Sequence, residues 1–583
     1  MNGLVTRLFP VLAWGRAYSA DDLPGDMMAG LITAIMLVPQ SMAYAMLAGL
    51  PPHIGLYASI APLILYGIFG SSRALAVGPV AIVSLMTATT LATIAPAGSP
   101  EYVAAALVLA LLNGLVLVIL GIARAGFLTN FLSHPVISGF TSAAAIVIGL
   151  SQIKHLFGLD MPRGSVVETL TNLAQNLGDT NGWAFGIGVS SILLIVFMRD
   201  HLGKWLAKTK LQTFAIQLTT RSGPLVVVAG GALITAELAL NESAGLAIVG
   251  SIPAGLPELS APSLDWGLWI TLLPSAALIA FVGYLESVSV AKALASKRRQ
   301  KIDADQELVG LGAANIGAAF TGGYPVTGGF SRSMVNFSAG ANTPLASILT
   351  AALVAASVVL FAPMFHFLPR TVLAAIILVA VSTLVDFKSP LRAWKYNKAD
   401  GLAQWMTIIV VLLGGIEAGI LTGIGLSLAL YLWRTSRPHF AIVGQVGHSE
   451  QYRNVKRHKV RIDPEILLFR IDENLYFANA GYLEDHLIKE VAENPDVSAV
   501  VLICSAVNLI DASALETLAD LRENLKHAGV TLHLAEVKGP VKDRLTRSTF
   551  VEELAPGEIF SSTHDAVKKL RTELKADAWY PDI

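Results

Sequence analysis

Long stretches without a charged residue occur throughout the first three quarters of the chain. The longest covers residues 27–72, and others cover 102–123, 125–153, 343–369 and 418–433. A helix needs about 20 apolar residues to cross a bilayer, so the longest stretch has room for two. The apolar pattern predicts about fourteen membrane segments, near residues 25–47, 54–70, 76–95, 102–123, 128–152, 183–198, 223–240, 267–291, 304–320, 327–338, 343–362, 370–385, 401–416 and 418–434.

The pattern changes from about His439 onward, where charged residues become frequent and the helical stretches become amphipathic. That part has the size and composition of one soluble α/β domain. We therefore expect a short cytosolic segment over residues 1–24, a membrane region over 25–437 and a cytosolic domain over 438–583. The N-terminus has no short apolar core with a cleavage site, so no removable signal peptide is expected.

Composition supports the membrane assignment. Of the 583 residues, 54% are hydrophobic and only 14% are charged, with a mean hydropathy of +0.61. A typical soluble domain is about 25% charged. The net charge of −1 gives no indication of nucleic-acid binding. Cys504 is the single cysteine and lies in the apolar run 499–504, so a buried strand residue is expected rather than a reactive thiol.

Basic residues mark one side of the membrane. Connections after even-numbered segments contain Arg73, Arg124, Arg199, Lys204, Lys208, Lys210, Arg221, Lys297, Arg298, Arg299, Lys301, Lys388, Arg392, Lys395, Lys398, Arg434 and Arg437. The odd-numbered connections carry mainly Lys154, Arg163 and Arg370. Because positive residues stay on the cytoplasmic side, both termini and the C-terminal domain are expected inside the cell.

Two glycine- and proline-containing stretches, residues 70–80 and 321–333, interrupt the smooth helical pattern. Each predicts extended backbone followed by a short helix of small residues. Non-helical backbone at membrane depth is tolerated where it lines a cavity or is covered by protein. A half-helix starting there directs unpaired N–H groups and the positive end of its dipole into the cavity. Such a pair, one in each half of the region, indicates a transporter site, although the glycines alone would also fit tight helix packing.

Two charged residues lie within these apolar segments. Arg332 falls just inside the second half-helix, with the hydroxyl of Ser331 beside it. An arginine near mid-membrane is costly and needs a partner, which is either an anionic substrate or a membrane carboxylate. Glu286 lies in an otherwise uncharged helix, where a carboxylate suits proton coupling, cation binding or pairing with Arg332. Glu417 precedes the last segment and is interpreted as a helix-end or interfacial charge.

Several motifs resemble the sulfate permease (SulP) family of anion transporters, to which prestin is related. The resemblance covers nearly the whole chain. One position departs, since Ile54 stands where tyrosine is frequent. The matching stretches are residues 52–59 (Pro-His-Ile-Gly-Leu-Tyr-Ala-Ser), Tyr66, residues 70–73 (Gly-Ser-Ser-Arg), residues 38–45 (Val-Pro-Gln-Ser-Met-Ala-Tyr-Ala) and residues 330–333 (Phe-Ser-Arg-Ser).

This resemblance implies about fourteen transmembrane helices in a seven-plus-seven inverted repeat, with a core domain that moves against a gate domain. It also implies an anion site between the starts of helices three and ten, lined by helices one and eight, and a homodimer. In that site Gln40 would donate a hydrogen bond, Tyr44 would form a wall and Glu286 would couple an ion. The substrate-binding residues so assigned are Gln40, Tyr44, Val77, Gly78, Thr327, Gly328, Ser331 and Arg332.

The C-terminal part resembles the STAS domain that usually follows these transporters. An apolar strand precedes Asp511 and Ala512 at the start of a helix. Related antagonist proteins carry a phosphorylatable serine directly after this aspartate, and alanine at 512 excludes a phosphorylation switch there. Ser513 is expected to cap the helix instead. A regulatory or dimer-supporting role is favoured.

The resulting hypothesis is a secondary active transporter for sulfate or a similar small anion, coupled to protons, in the cell (inner) membrane. Sodium-coupled bicarbonate uptake, C4-dicarboxylate uptake and an anion channel stay open as alternatives. An enzyme is not expected, because the sequence has no nucleotide-binding glycine loop, zinc motif or nucleophile elbow. No cofactor and no metal site are predicted.

Overall fold

The computed structural model describes residues 9–574, except residues 132, 163, 209–212 and 254. Arg163 and Lys210, two of the basic residues used to orient the segments, therefore lie outside the described residues, as do both ends of the chain. The chain forms two compact units, Met1–Ser427 and Leu428–Ile583.

The first half of the membrane region is helical, with one short strand. After the N-terminal helix α1 (Val11–Arg16), the predicted segments one to seven each contain at least one helix. The elements are α2 (Leu23–Leu47), α3 (Pro52–Tyr57), α4 (Ala61–Phe69), β1 (Val77–Gly78), α5 (Ala81–Leu91), α6 (Pro100–Ile122), α7 (His134–Phe157), α8 (Val166–Asn176), α9 (Gly182–Phe197), α10 (Gly203–Leu206), α11 (Thr213–Arg221), α12 (Gly223–Glu237) and α13 (Leu240–Ser243).

The second half repeats this organisation. Its strand β2 directly precedes a short helix, as β1 does in the first half, and segments eight to fourteen each contain a helix. The elements are α14 (Trp266–Lys297), α15 (Ala304–Phe320), β2 (Thr327–Gly328), α16 (Phe330–Ser338), α17 (Leu345–Phe361), α18 (Arg370–Ser382), α19 (Ser389–Tyr396), α20 (Lys398–Gly414) and α21 (Ile416–Thr435). Helices one, three, eight and ten of the resemblance are thus α2, α5, α14 and α16.

Length and apolar composition agree with a membrane location. Among the described residues, eight helices are long and apolar enough to cross a bilayer, or nine if the bent pair formed by α11 and α12 counts as one span. The other segments hold shorter helices, including α5 and the nine-residue α16. Short helices at these two places are what the glycine- and proline-containing stretches predicted, so the helical membrane fold is confirmed.

Local sequence fixes where the helices begin. Ser99 accepts a hydrogen bond from the backbone N–H of Tyr102 at 3.2 Å and thereby caps α6. Asp265 caps α14 in the same way, and Asp303 caps α15 by accepting from two N–H groups. A side-chain oxygen at these positions satisfies donors that have no partner within the helix.

The membrane helices pack as two bundles. In the first bundle α6 contacts α14 and α15, α4 contacts α15 and α17, and α2 contacts α16 and α17. In the second bundle α7 contacts α18 and α20, and α9 contacts α7, α12 and α18. Between the bundles, α2 contacts α12 and α18, and α5 contacts α7. The backbones of α6 and α15 approach closely because Gly114 and Gly312 face each other, and a Cβ at Gly114 would lie 2.8 Å from the Gly312 carbonyl oxygen.

The C-terminal unit contains a six-stranded sheet with helices on both faces. The strands are β3 (Phe440–Gln445), β4 (Tyr452–Asn454), β5 (Ile466–Ile471), β6 (Ala499–Ile503), β7 (Thr531–Ala535) and β8 (Ile559–Phe560), in the order β4-β3-β5-β6-β7-β8. Strands β5 to β8 run parallel, and β3 is antiparallel to both β4 and β5. The helices are α22 (Ala480–Glu493), α23 (Ala512–His527), α24 (Gly539–Leu545), α25 (Phe550–Glu553) and α26 (Thr563–Leu574).

Burial on both faces explains the apolar run of β6. Helices α22 to α25 cover one face of the sheet, and α26 covers the other through Ala566, Val567 and Leu570. All five residues of β6 are buried, as expected for a central parallel strand. Cys504 follows this strand and is only 1% exposed.

The expected cap of α23 is wrong by two positions. Asp511, not Ser513, accepts the hydrogen bond from the backbone N–H of Ala514, at 2.8 Å. Its second carboxylate oxygen accepts from the N–H of Phe477 at 2.9 Å. Since an N-cap side chain must precede the helix to reach its N–H groups, Ser513, which lies two residues past the cap position, cannot serve.

Candidate anion-binding site

The two short strands β1 and β2 pair with each other in the interior of the first bundle, and this pair of strands is called the crossing below. Val77 pairs with Gly328 and Gly78 pairs with Thr327 in an antiparallel register, so residues predicted from two distant stretches meet here. Helix α5 starts three residues after β1, and helix α16 starts two residues after β2. Neither start has a side-chain cap. The N–H groups of both first turns therefore give this crossing a positive potential.

Arg332 lies against the first strand. Its Nε donates to the Ala76 carbonyl oxygen at 3.3 Å and its Nη1 donates to that of Pro79 at 3.1 Å. The side chain is 3% exposed, and its Nη2 has no hydrogen-bond partner. Gly78 and Gly329 leave room for it, because a Cβ at either position would lie 3.3 Å from Nη2.

No carboxylate pairs with this guanidinium in the part of the chain that the structure describes. The alternative raised by the sequence, a salt bridge to a membrane carboxylate, is therefore not what the structure shows. Carbonyl oxygens satisfy part of its hydrogen-bonding capacity but do not neutralise its charge. Glu286 attracts Arg332 electrostatically but forms no direct ion pair with it. A buried guanidinium without an ion-pair partner is unfavourable, and this favours the presence of an anion.

Glu286 lies on α14 and lines a cavity of about 280 Å³. Ile82 from α5, Phe330 from α16 and Ser289 from α14 also line this cavity. Helices α7 and α21 and the residues that directly follow α18 close its other side. The Oε2 atom of Glu286 is buried and has no hydrogen-bond partner. The cavity thus lies between the two bundles, with a carboxylate on its wall and the start of α16 at its edge.

A directional chain of hydrogen bonds attaches β2 to α14. Thr327 Oγ1 donates to the Gly283 carbonyl oxygen at 2.6 Å, so it must accept from Ser287 Oγ, which is also 2.6 Å away. Ser287 Oγ in turn accepts from the backbone N–H of Gly328 at 2.8 Å. This chain fixes the second strand beside the residue that follows Glu286.

Side chains from α16 fix the first strand in a similar way. Ser333 Oγ accepts from the backbone N–H of Ala76 at 3.0 Å, and Asn336 Nδ2 donates to the Ala74 carbonyl oxygen at 3.0 Å. Both side chains are buried. The same short helix therefore carries Arg332 and the groups that hold the backbone to which Arg332 bonds.

Helix α2 carries Gln40 and Tyr44, the residues predicted to donate a hydrogen bond and to form a wall of the site. Gln40 and Tyr44 lie one turn apart on this helix, and both are buried. Tyr44 interacts electrostatically with Arg332 and Glu286, which places its hydroxyl near the crossing. Ser331 is exposed at the first turn of α16, whereas Val77, Gly78, Thr327 and Gly328 are buried. The Thr327 hydroxyl already forms hydrogen bonds with Gly283 and Ser287.

The sequence did not single out Ser287, Ser333, Asn336 or Tyr324. Tyr324 precedes β2, lies 2.8 Å from Ser84 Oγ through its hydroxyl and interacts electrostatically with Arg332. Small polar residues within apolar helices are common, so their types carry little information. Their positions could have identified Ser287 and Ser333, because each directly follows a charged residue within an apolar segment.

Two further predictions concern charges and metals. Glu417 lies in the first turn of α21 and accepts a hydrogen bond from Thr90 Oγ1 at 3.3 Å, which agrees with a helix-end charge. Within the described ranges, no group of three or more histidine, cysteine or carboxylate side chains is arranged to hold a metal ion.

A multi-pass helical bundle that places a buried arginine without an ion-pair partner beside two helix N-termini has the architecture of an anion transporter. Comparison with known proteins agrees, and the chain belongs to the sulfate permease family. The model of that family matches residues 23–407, and the model of the STAS domain matches residues 457–566. The family consists of transporters rather than enzymes.

One relative and two solved structures illustrate this similarity. The chain is 40% identical over 577 residues to "Sulfate transporter 4.1, chloroplastic" from Arabidopsis thaliana, covering 97% of this chain and 82% of that one. The structure of SLC26A9 superimposes with a TM-score of 0.91 at 23% identity, covering 98% and 94% of the two chains. The transmembrane domain of the cyanobacterial bicarbonate transporter BicA gives a TM-score of 0.60 at 22% identity, covering 69% and 98%. The two structural matches establish the fold.

Proposed function

We propose that the chain is a secondary active transporter that moves sulfate together with protons. The observation that carries this proposal is the buried guanidinium of Arg332, whose Nη2 has no partner, at the crossing that starts α5 and α16. The 40% identical relative is named a sulfate transporter, which supports sulfate as the substrate. Gln40, Tyr44, Val77, Gly78, Thr327, Gly328, Ser331 and Arg332 would form the site, with Glu286 as the coupling residue.

Charge counting favours a divalent anion and a proton together. Each helix N-terminus contributes roughly half a positive charge, so the two half-helices and Arg332 supply about two. Sulfate carries two negative charges and balances them. An ionised Glu286 would lower the local positive charge to about one and would repel the bound anion. Sulfate and a proton on Glu286 would therefore bind together and leave together.

Within this site the residues have distinct roles. Arg332 would donate through Nη2 to a sulfate oxygen, and the N–H groups at the starts of α5 and α16 would donate to others. Ser331, exposed at the first turn of α16, would add a hydroxyl donor. Thr327 Oγ1 and the Gly328 N–H are already engaged by Gly283 and Ser287, so these two residues would serve the site by holding β2 in place.

Alternating access would arise from movement of one bundle against the other. The first bundle corresponds to the core domain of the family resemblance, and the second bundle corresponds to its gate. The cavity at Glu286 lies between them and would open to one side of the membrane at a time.

The location and assembly of the protein extend the proposal. We propose that residues 25–437 lie in the cell (inner) membrane and that both termini and the STAS domain, residues 438–583, lie in the cytosol, which the distribution of basic connections supports. The short N-terminal segment 1–24 would be cytosolic. We also propose a homodimer, in which the STAS domain supports regulation or pairing without phosphorylation at Ala512.

Uptake into proteoliposomes tests the substrate and the coupling ion together. Labelled sulfate, bicarbonate and succinate would each be offered with an imposed proton or sodium gradient. Accumulation of sulfate driven by protons, and not by sodium, is expected. Sodium-driven bicarbonate accumulation or succinate uptake would replace the proposed substrate. Equilibration of sulfate without accumulation would indicate a channel or an exchanger and would contradict coupling through Glu286.

A further inference from the structure

A second and larger cavity lies at the opposite ends of the membrane helices from the basic connections. This outer cavity has a volume of about 480 Å³ and shares no lining residue with the cavity at Glu286. The first bundle contributes Met46 and Leu85, and the second contributes Val147 and Val411. The start of α8 and the junction of α20 with α21 complete it. Its size is typical of sites for small organic molecules.

The polar groups of the outer cavity are concentrated on α7. Gln152 is 2% exposed, and its Oε1 is buried without a hydrogen-bond partner, while its Nε2 donates to Ser151 Oγ at 3.0 Å. Lys154 and His155 follow on the same helix, and Lys154 Nζ donates to the Met161 carbonyl oxygen at 2.8 Å. Glu168 on the bordering helix α8 accepts a hydrogen bond from the backbone N–H of Ser165 at 2.8 Å.

These groups define the chemistry of a ligand. Apolar side chains form most of the wall, so the body of the ligand must be apolar. Lys154 supplies a positive charge at one end, and it favours a carboxylate or sulfonate headgroup. The unpartnered acceptor of Gln152 is satisfied by a ligand that carries a hydroxyl or N–H donor, which removes the cost of leaving this oxygen buried and unpaired.

We propose that the outer cavity binds a small amphipathic organic anion with a hydrogen-bond donor, and that this ligand inhibits transport. A molecule in the cavity contacts both bundles at once. It would stabilise their present arrangement and oppose any arrangement in which the cavity closes. The inhibition part of this inference rests on the proposed transport function, whereas the binding part does not.

Direct binding tests the site independently of transport. The probe is 6-hydroxynaphthalene-2-sulfonate, and its fluorescence polarisation is followed with the full chain in nanodiscs. Saturable binding is expected, and Lys154→Gln should weaken it by about tenfold or more, because a hydrogen bond to a charged group is lost. Val147→Trp should abolish binding by filling the cavity.

Arg370→Gln is the matched control. Arg370 is also a basic residue in an odd-numbered connection and donates through Nε to a loop carbonyl, that of Ile248, at 3.1 Å. It does not line the outer cavity, so its replacement should leave probe binding within about twofold of wild type. Arg332→Ala should also retain probe binding, and excess sulfate should not displace the probe.

The possible outcomes separate the two proposals. Probe binding that depends on Lys154 but not on Arg332 supports the outer site, even if no sulfate uptake is found. Absence of saturable binding would overturn it. So would wild-type binding by Lys154→Gln and Val147→Trp, or displacement of the probe by sulfate. In proteoliposomes that do take up sulfate, the probe should lower the maximal rate without raising the sulfate KM, and a purely competitive effect would contradict the inhibition mechanism.

Discussion

Replacing Ser287 by alanine would test how the strand crossing is held together. Ser287 Oγ accepts from the Gly328 N–H at 2.8 Å and donates to Thr327 Oγ1 at 2.6 Å. The Ala variant loses the second bond, worth about 1 kcal/mol, and leaves a buried N–H without a partner, at a cost of about 1–3 kcal/mol. The crossing should therefore be destabilised by about 2–4 kcal/mol.

This cost should appear in anion affinity because the crossing positions the starts of α5 and α16. A free energy of 1.4 kcal/mol corresponds to about tenfold in an equilibrium constant, so even half of the loss would weaken sulfate binding by roughly five- to thirty-fold. The assay is the sulfate KM in proteoliposomes, measured together with the melting temperature of the purified variant. The melting temperature should fall by a few degrees.

Ser191→Ala serves as the control. Ser191 is also buried in a membrane helix, but its hydroxyl donates only to the Ile187 carbonyl of its own helix, at 2.7 Å. Its loss leaves no N–H unpaired and should cost no more than about 1 kcal/mol, with the sulfate KM unchanged. A KM for Ser287→Ala within about twofold of wild type would refute the positioning role.

Three further predictions concern other parts of the chain. Glu307 accepts from Tyr66 and from three donors of the residue pair 71–72, so Glu307→Leu should destabilise the protein by about 3 kcal/mol or more, measured by thermal melting; an unchanged melt would contradict this. Burial raises the pKa of Cys504 to about 12, so a maleimide should label it at pH 8 only after denaturation; rapid labelling of the native chain would show the thiol to be accessible. Partial burial raises the pKa of Asp472, but hydrogen bonds from Arg470 and His439 outweigh burial and hold the pKa below its usual value. The stability that Asp472 provides is therefore present at neutral pH and is lost as pH falls through the lowered pKa, so Asp472→Asn should melt with less pH dependence in acid than wild type.

The sequence predicted most of the architecture because membrane helices and interruptions in them have strong signals. Apolar stretches gave fourteen predicted segments, each of which contains a helix, and the stretches 70–80 and 321–333 located both short helices. The registers that join Val77 to Gly328 could not be derived, since they depend on contacts across 250 residues of sequence. The strands are also only two residues long and carry no periodic pattern of their own.

The partners of the charged residues were less predictable. The sequence offered a carboxylate or an anion as the partner of Arg332, whereas the structure engages it with two backbone carbonyl groups. Carbonyl partners are invisible in sequence because every residue has one. The same reason explains the misplaced cap of α23, where Asp511 and Ser513 are both suitable residue types and only backbone geometry distinguishes them.

Sulfate binding as a function of pH is the most direct test of the account. Equilibrium binding of labelled sulfate to the purified full chain would be measured between pH 5 and 8 for wild type, Glu286→Gln and Arg332→Ala. Wild type should bind more tightly at low pH, because the bound state holds one more proton than the free state. Glu286→Gln should bind sulfate with no pH dependence over this range, and Arg332→Ala should not bind it measurably. Tight sulfate binding by Arg332→Ala, or an unchanged pH dependence in Glu286→Gln, would contradict the proposed site.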